Sequence, residues 1–161
     1  MPDIQGKRLS MATDQAAQEF ELLKRAITGS TDWLSRSRRT EFFLYWMIAK
    51  LVSVTILMVA SLSLPPTALT ILASLLFITL SVPQLALFAR RINDQDRNEL
   101  WNLLSVLSFL VSLLITATSV PAGTYGQLIA AILTLLTLIL AALPGTKGPN
   151  RHGPDPRVTA K

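Results

Sequence analysis

The sequence predicts an all-α membrane protein with four transmembrane helices arranged as two antiparallel hairpins. Three observations carry this. Apolar stretches occupy residues 42–64, 67–89, 100–120 and 125–143, each of a length to cross a hydrocarbon core of about 30 Å at about 1.5 Å per residue. The connections after the first and third stretches hold no charged residue, whereas the segments before the first, after the second and after the fourth hold nearly all of them. The apolar residues, half of the 161, are blocked into runs rather than spaced at an amphipathic period, so lipid rather than a single aqueous core is their solvent.

The elements follow in order. Residues 1–34 form an N-terminal segment, with 1–10 expected to be disordered. Residues 11–27 have helix-forming composition, with Ser10 or Thr13 as a cap and Gly29 as a stop. This short surface helix is expected to lie on the headgroups. Residues 35–156 form the four-span domain. Pro65-Pro66 fits a tight hairpin, because proline at a helix start costs no hydrogen bond. Pro83 falls inside the second span, where it removes a backbone bond and predicts a kink. The segment 90–99 lacks Gly and Pro, so helix can continue into it from either side. Residues 121–126 are the outer turn, and the fourth span stops at Pro144-Gly145. The tail is expected to be extended and irregular, ending in a disordered piece, 157–161.

Of the fifteen Lys and Arg, seven precede the first span, one (Lys50) lies inside it, three separate spans two and three, and four follow span four. By the positive-inside rule both termini and the middle loop are cytoplasmic. The net charge of +5 fits attraction to anionic headgroups better than nucleic-acid binding. The chain has no cysteine, which excludes disulfides, cysteine metal sites and thiol catalysis. No apolar leader precedes residue 42, so targeting is expected to rest on the first span.

Span three carries Ser105, Ser108, Ser112, Thr116 and Ser119 at steps of three or four. Small hydroxyl residues on one stripe are expected to form a helix–helix contact. Lys50 lies about 13 Å along the axis from the charged edge of span one, and Gln84 of span two falls at comparable depth. Lys50 is expected to face the bundle interior and meet Gln84 or a carbonyl freed by Pro83, with a snorkelling lysine as the simpler alternative. No intramembrane carboxylate pairs with it. Catalytic chemistry has little to stand on. The only histidine, His152, is in the tail, and a Lys50–Ser53 dyad rests on helical spacing alone. Asp94, Asp96 and Glu99 could gather a cation, but the adjacent arginines favour salt bridges. No catalytic, metal or cofactor site is therefore assigned.

Three segments carry a resemblance. Residues 35–43, Ser-Arg-Ser-Arg-Arg-Thr-Glu-Phe-Phe, resemble a Gly-Arg-x-Ser-Arg-x-Glu-Phe-Trp signature, with Arg36, Arg39, Glu41 and Phe42 on its fixed positions. Residues 90–101 resemble Arg-Arg-Leu-His-Asp-x-Gly-Arg-Ser-Gly-Trp-Trp. Arg90, Arg91, Asp94, Arg97 and Trp101 match, Asn93 replaces His, and Asp96 and Glu99 replace glycines. The tail 143–156, Leu-Pro-Gly-Thr-Lys-Gly-Pro-Asn-Arg-His-Gly-Pro-Asp-Pro, is similar to the same family's ending. The family is the bacterial inner-membrane family catalogued as domain of unknown function 805. Membership implies a small multi-spanning protein of the bacterial plasma membrane and no established activity.

All three segments fall on the side read as cytoplasmic. They offer one charged cluster: Arg36, Arg39, Glu41, Arg90, Arg91, Asp94, Arg97, Arg151 and Asp155. Glu41, Asp94 or Asp155 is expected to pair with Arg90 or Arg91 in charge-assisted bonds, as a clasp or as a docking face with arginine left for an anion. The function this predicts is a non-enzymatic interaction or scaffold protein, whose partners are anionic headgroups of the bilayer, a protein or a second copy of the chain, and not nucleic acid. A small transporter or channel component is the alternative, and a membrane-embedded enzyme the second.

Overall fold

The computed structural model describes residues 4–118 and 124–158. The helices are α1 (Ile4–Thr28), α2 (Arg39–Ala60), α3 (Pro66–Asp94), α4 (Asn102–Thr118) and α5 (Thr124–Ala142), with a 3-10 turn at Glu99–Trp101 before α4. Four are long and apolar enough to span a membrane: α2, α3, α4 with its preceding 3-10 turn, and α5. Among the described residues there is no strand. Of the outer turn expected at 121–126, residues 121–123 lie outside the described residues, as does Ser119, while residues 124–126 already open α5.

The hairpin between α2 and α3 follows from its prolines. Pro65 adopts an extended conformation at the N-cap and Pro66 opens the helix, where its missing N–H is no loss. α3 runs past the apolar stretch to Asp94, so Arg90, Arg91 and Asp94 project from a rigid helix rather than a loop. At about 1.5 Å per residue α3 is about 43 Å long, well beyond the hydrocarbon core. The chain then reverses through Asp96, which adopts φ +54°. Glycine stands at this position in the family pattern, and aspartate is among the few side chains that tolerate left-handed backbone. The side chain of Asn98 then accepts from the Leu100 amide and starts the 3-10 turn.

α1 differs from expectation. It begins at Ile4 rather than near residue 11, so most of the stretch expected to be disordered is helical. Its C-terminal part packs on α2 and α3 through Leu23 and Ala26. α3 touches every other helix, and α5 returns beside both α3 and α2. The described core gathers at the charged end, around Phe42, Tyr45, Leu87, Phe88, Ile92 and Ala141. Within the most apolar windows of the four spans only 11–17% of residues are buried. Most of the apolar surface therefore faces outward, as a lipid-solvated bundle requires.

Contacts along the spans are sparse and specific. Phe77 of α3 stacks on Phe109 of α4 at 5.5 Å between centroids. The Ser108 and Thr134 hydroxyls meet at 3.4 Å between α4 and α5. The remaining hydroxyls of the serine stripe do less between helices: Ser105 and Thr116 donate to Asn102 and Ser112 carbonyls of their own helix. Near the proline in α3, the Tyr45 hydroxyl donates to the Leu80 carbonyl at 2.8 Å. Tyr45 thus reaches the helical turn that Pro83 disturbs, a role the sequence suggested for Lys50. Replacing Tyr45 with Phe removes one interhelical bond and is expected to destabilise the bundle by about 0.5–1.5 kcal/mol in denaturant titration in micelles, without loss of helix.

Candidate functional site

The charged end is organised by one carboxylate. Asp94 Oδ1 accepts from Arg36 Nε at 3.1 Å and Arg36 Nη2 at 2.9 Å, so both nitrogens converge on one oxygen. Oδ2 accepts from Arg91 Nη1, and Arg157 Nη2 stands 3.6 Å away. The side chains of Arg36, Arg91 and Asp94 are at most 1% exposed. A buried ion pair persists only when its remaining donors are also bonded. Here backbone carbonyls meet that need. Arg36 Nη1 donates to Gly148 at 2.7 Å and Gly153 at 3.2 Å, and Nη2 also donates to Thr146 at 2.8 Å. Arg91 donates to Ala141 at 2.8 Å and to Leu143.

These bonds also finish the helices. The last carbonyls of a helix have no partner within it. At the end of α5 they are taken one after another: Leu140 by Gln95 at 2.7 Å, Ala141 by Arg91, Ala142 by Arg39 at 3.3 Å and Leu143 by Arg91. Cations here also complement the helix dipole. Ser37 ties the segment before α2 to the side of α3, its amide donating to the Arg90 carbonyl and its hydroxyl to the Leu87 carbonyl. The Asp94 carbonyl accepts from both the amide and the hydroxyl of Thr146, at 2.8 and 3.0 Å. Gly145 is required beside it, because an added Cβ would fall on the Asp94 carboxylate and 2.9 Å from its backbone oxygen. Asn93, which stands in place of a family histidine, donates Nδ2 to the Trp33 carbonyl at 2.9 Å and to the Leu34 and Ser35 carbonyls at 3.2 Å. The tail is therefore folded onto the bundle rather than extended.

The nine charged candidates divide. Arg36, Arg91 and Asp94 meet directly. Arg90 stands 3.4 Å from Glu41 as an ion pair without a hydrogen bond. Arg39 serves α5. Arg97 stands apart over the Trp101 ring, 5.7 Å from its centroid, and Arg151 pairs with Asp96 at 2.9 Å. Asp155, expected beside Arg90 or Arg91, instead accepts from the Gly148 and Arg157 amides, each at 3.0 Å, and stands 3.8 Å from the Arg157 guanidinium. Arg157 lies at the start of the piece expected to be disordered, yet it is tied to both Asp94 and Asp155; residues 159–161 lie outside the described residues.

The intramembrane candidates form a second group. Lys50, Gln84, Ser105, Ser108 and Ser112 line one cavity of about 50 Å³, together with Trp46, Phe77 and Thr134. The Lys50 ammonium stands over the Phe77 ring, 5.8 Å from its centroid. No hydrogen bond joins it to Gln84 among the described residues. Thr116 lines a different depression near the α2–α3 turn. Ser53 donates to the Ala49 carbonyl at 2.8 Å, so its hydroxyl proton is engaged away from Lys50. Among the described residues no group of three or more His, Asp or Glu is placed to hold a metal ion.

Several contributors were missed as site residues. Gly145, Thr146, Gly148 and Asn150, whose Nδ2 donates to the Asn93 carbonyl at 2.9 Å, were visible as a motif in the tail, without a role. Ser37 and Asn93 lie inside the other two motifs. Gln95 and Arg157 carried no signal, since neither falls on a position fixed by the family pattern.

A clasp of this kind needs its three segments at one end, and four apolar helices of alternating direction bring them there. That is the architecture of a multi-pass membrane protein. The chain belongs to the family described as "Protein of unknown function (DUF805)", which matches residues 30–154. The match includes Arg36, Arg91, Asp94 and Thr146 but neither Asp155 nor Arg157. No curated protein and no solved structure matches the chain significantly.

The amides of Arg157 and Gly148 hold the Asp155 carboxyl below the usual carboxylate range. A depressed folded pKa adds stability that is complete above the unfolded value of about 3.9 and is lost as pH falls through the folded value. Proteolytic release of the tail is therefore expected to rise below about pH 4, and Asp155→Asn should remove that step while leaving the tail looser at neutral pH.

Proposed function

We propose that the protein is a non-enzymatic interaction or scaffold protein of the bacterial inner membrane, with both termini and the charged end in the cytoplasm. The concentration of Lys and Arg at that end supports the orientation, and the family resemblance supports the compartment. The observation that carries the reading is the outer surface of α1. Leu9, Phe20 and Ile27 are all more than half exposed. At about 100° per residue they lie within about 20° of one another around the helix. Lys7, Arg8, Lys24 and Arg25 share this helix. Asp14, Glu19 and Glu21 share it too, and a helix of mixed charge with an apolar stripe suits a docking groove or a membrane surface. The clasp beneath gives it a rigid base. The engaged Ser53 hydroxyl favours the non-enzymatic reading.

A second reading, a small transporter or channel component, draws on the Lys50 cavity. Its volume of about 50 Å³ is that of a small pocket rather than a path.

The test is site-specific photo-crosslinking in cells, with the probe replacing Phe20 and, as a control, Asp14 on the polar flank of α1. A discrete adduct to lipid, to a protein or to a second copy from position 20 only is expected. Equal or absent adducts at both positions would contradict an interaction role for α1.

A further inference from the structure

Between the C-terminal end of α1 and the charged ends of α2 and α3 lies an open cavity of about 400 Å³. Its charged lining is Arg25, Arg36, Arg38, Arg90, Asp32 and Glu41, four cations against two anions. The excess is not consumed by the clasp. Arg36 is fully engaged with Asp94 and the tail carbonyls. Arg38 donates Nε and Nη2 to the Pro156 carbonyl at 2.9 and 2.6 Å, which leaves Nη1. Arg25 is exposed and makes no ion pair among the described residues.

Arg90 is the second, independent observation. It is only 5% exposed, and its Nε and Nη2 have no hydrogen-bond partner. Glu41, its neighbour at 3.4 Å, does not meet them, and Glu41 Oε1 is itself without a hydrogen bond. Guanidinium donors left unbonded in a low-dielectric setting are costly. The chain offers them no acceptor, and both are covered, so a group entering the cavity that Arg90 lines meets them once the guanidinium turns toward it. Gly29 packs closely on this guanidinium, since an added Cβ would stand 2.7 Å from Arg90 Nη1.

We propose that this cavity binds a phosphate-bearing anion, held by Arg90, Arg25 and the remaining donor of Arg38. Tetrahedral phosphate oxygens match the planar guanidinium fork, which lysine could not reproduce. The cavity is at the membrane-edge end of α3, so a phospholipid headgroup or a free phosphate can supply the same group. The proposal rests on the interaction reading above and deepens it at a different surface from the α1 stripe.

The test uses the purified full chain in nanodiscs. One arm holds phosphatidylcholine only and adds inorganic phosphate; the other replaces part of that lipid with phosphatidic acid. Thermal unfolding and ³¹P line broadening report binding. Stabilisation is expected in at least one arm. Phosphate acting in the first arm identifies a free anion, and phosphatidic acid acting alone identifies a headgroup. Arg25→Gln, at an exposed unpaired position, should weaken binding about tenfold with folding unchanged. Lys147→Gln, an equal charge change elsewhere, should not. Arg90→Gln should abolish binding if the variant folds. No stabilisation in either arm, or equal weakening by Arg25→Gln and Lys147→Gln, would overturn the proposal. Because the crosslinks at Phe20 need no anion in this cavity, failure here leaves that result standing on its own.

Discussion

Asp94 is the constraint on which the rest of the structure depends. A carboxylate removed from water costs several kcal/mol unless cations and hydrogen bonds replace its hydration. Arg36 supplies charge from the segment before α2, and Arg91 from one turn earlier on α3 itself. Each arginine brings the same problem with it, five donors to satisfy, and the protein solves it with backbone carbonyls. Those carbonyls belong to the end of α5 and to the tail. One ion cluster therefore fixes the segment leading into α2, the end of α3, the end of α5 and the returning chain at once.

The position of this cluster fits the solvent in which the bundle lives. Apolar helices in lipid gain little from burying apolar surface against each other. Most of the apolar surface of the four spans points outward, and away from the charged end the specific contacts between spans are few: the Phe77–Phe109 stack, Lys50 over Phe77, the Ser108–Thr134 hydroxyl pair and Tyr45 on the Leu80 carbonyl. Polar chemistry concentrated at one end can then set the arrangement of the helices. Gly145 and Asp96 are where the backbone meets the cost: one gives up a side chain to admit Asp94, the other takes a left-handed turn so that α4 can start. The Arg90–Glu41 pair beside the cluster is looser, and its unbonded donors distinguish it from the saturated clasp.

The spans were legible because length and apolar content are one-dimensional properties, and helix ends followed within a few residues from prolines and charge. The existence of a charged cluster was legible too, since three motifs fell at one end. The pairing was not. Asp94 and Arg91 are three residues apart on a helix and could be matched from spacing, but Arg36 is 58 residues from Asp94 in the chain. Its choice over Arg90 depends on the angle at which α2 meets α3, which no local pattern encodes. The tail misled for a related reason. Its prolines and glycines read as irregular, and they are, yet the carbonyls they expose are the acceptors that Arg36 requires. In α1, helix extended to Ile4, beyond the stretch whose composition signalled it.

The most direct measurement is a double-mutant cycle of Arg36→Gln and Asp94→Asn, followed by denaturant unfolding in mixed micelles. Asp94→Asn alone should cost about 3–5 kcal/mol, because it leaves two arginines buried without a counter-charge. Arg36→Gln should then cost far less in the Asp94→Asn background than in the wild type, a coupling above about 1.5 kcal/mol. Small, additive losses would contradict a structure organised around Asp94.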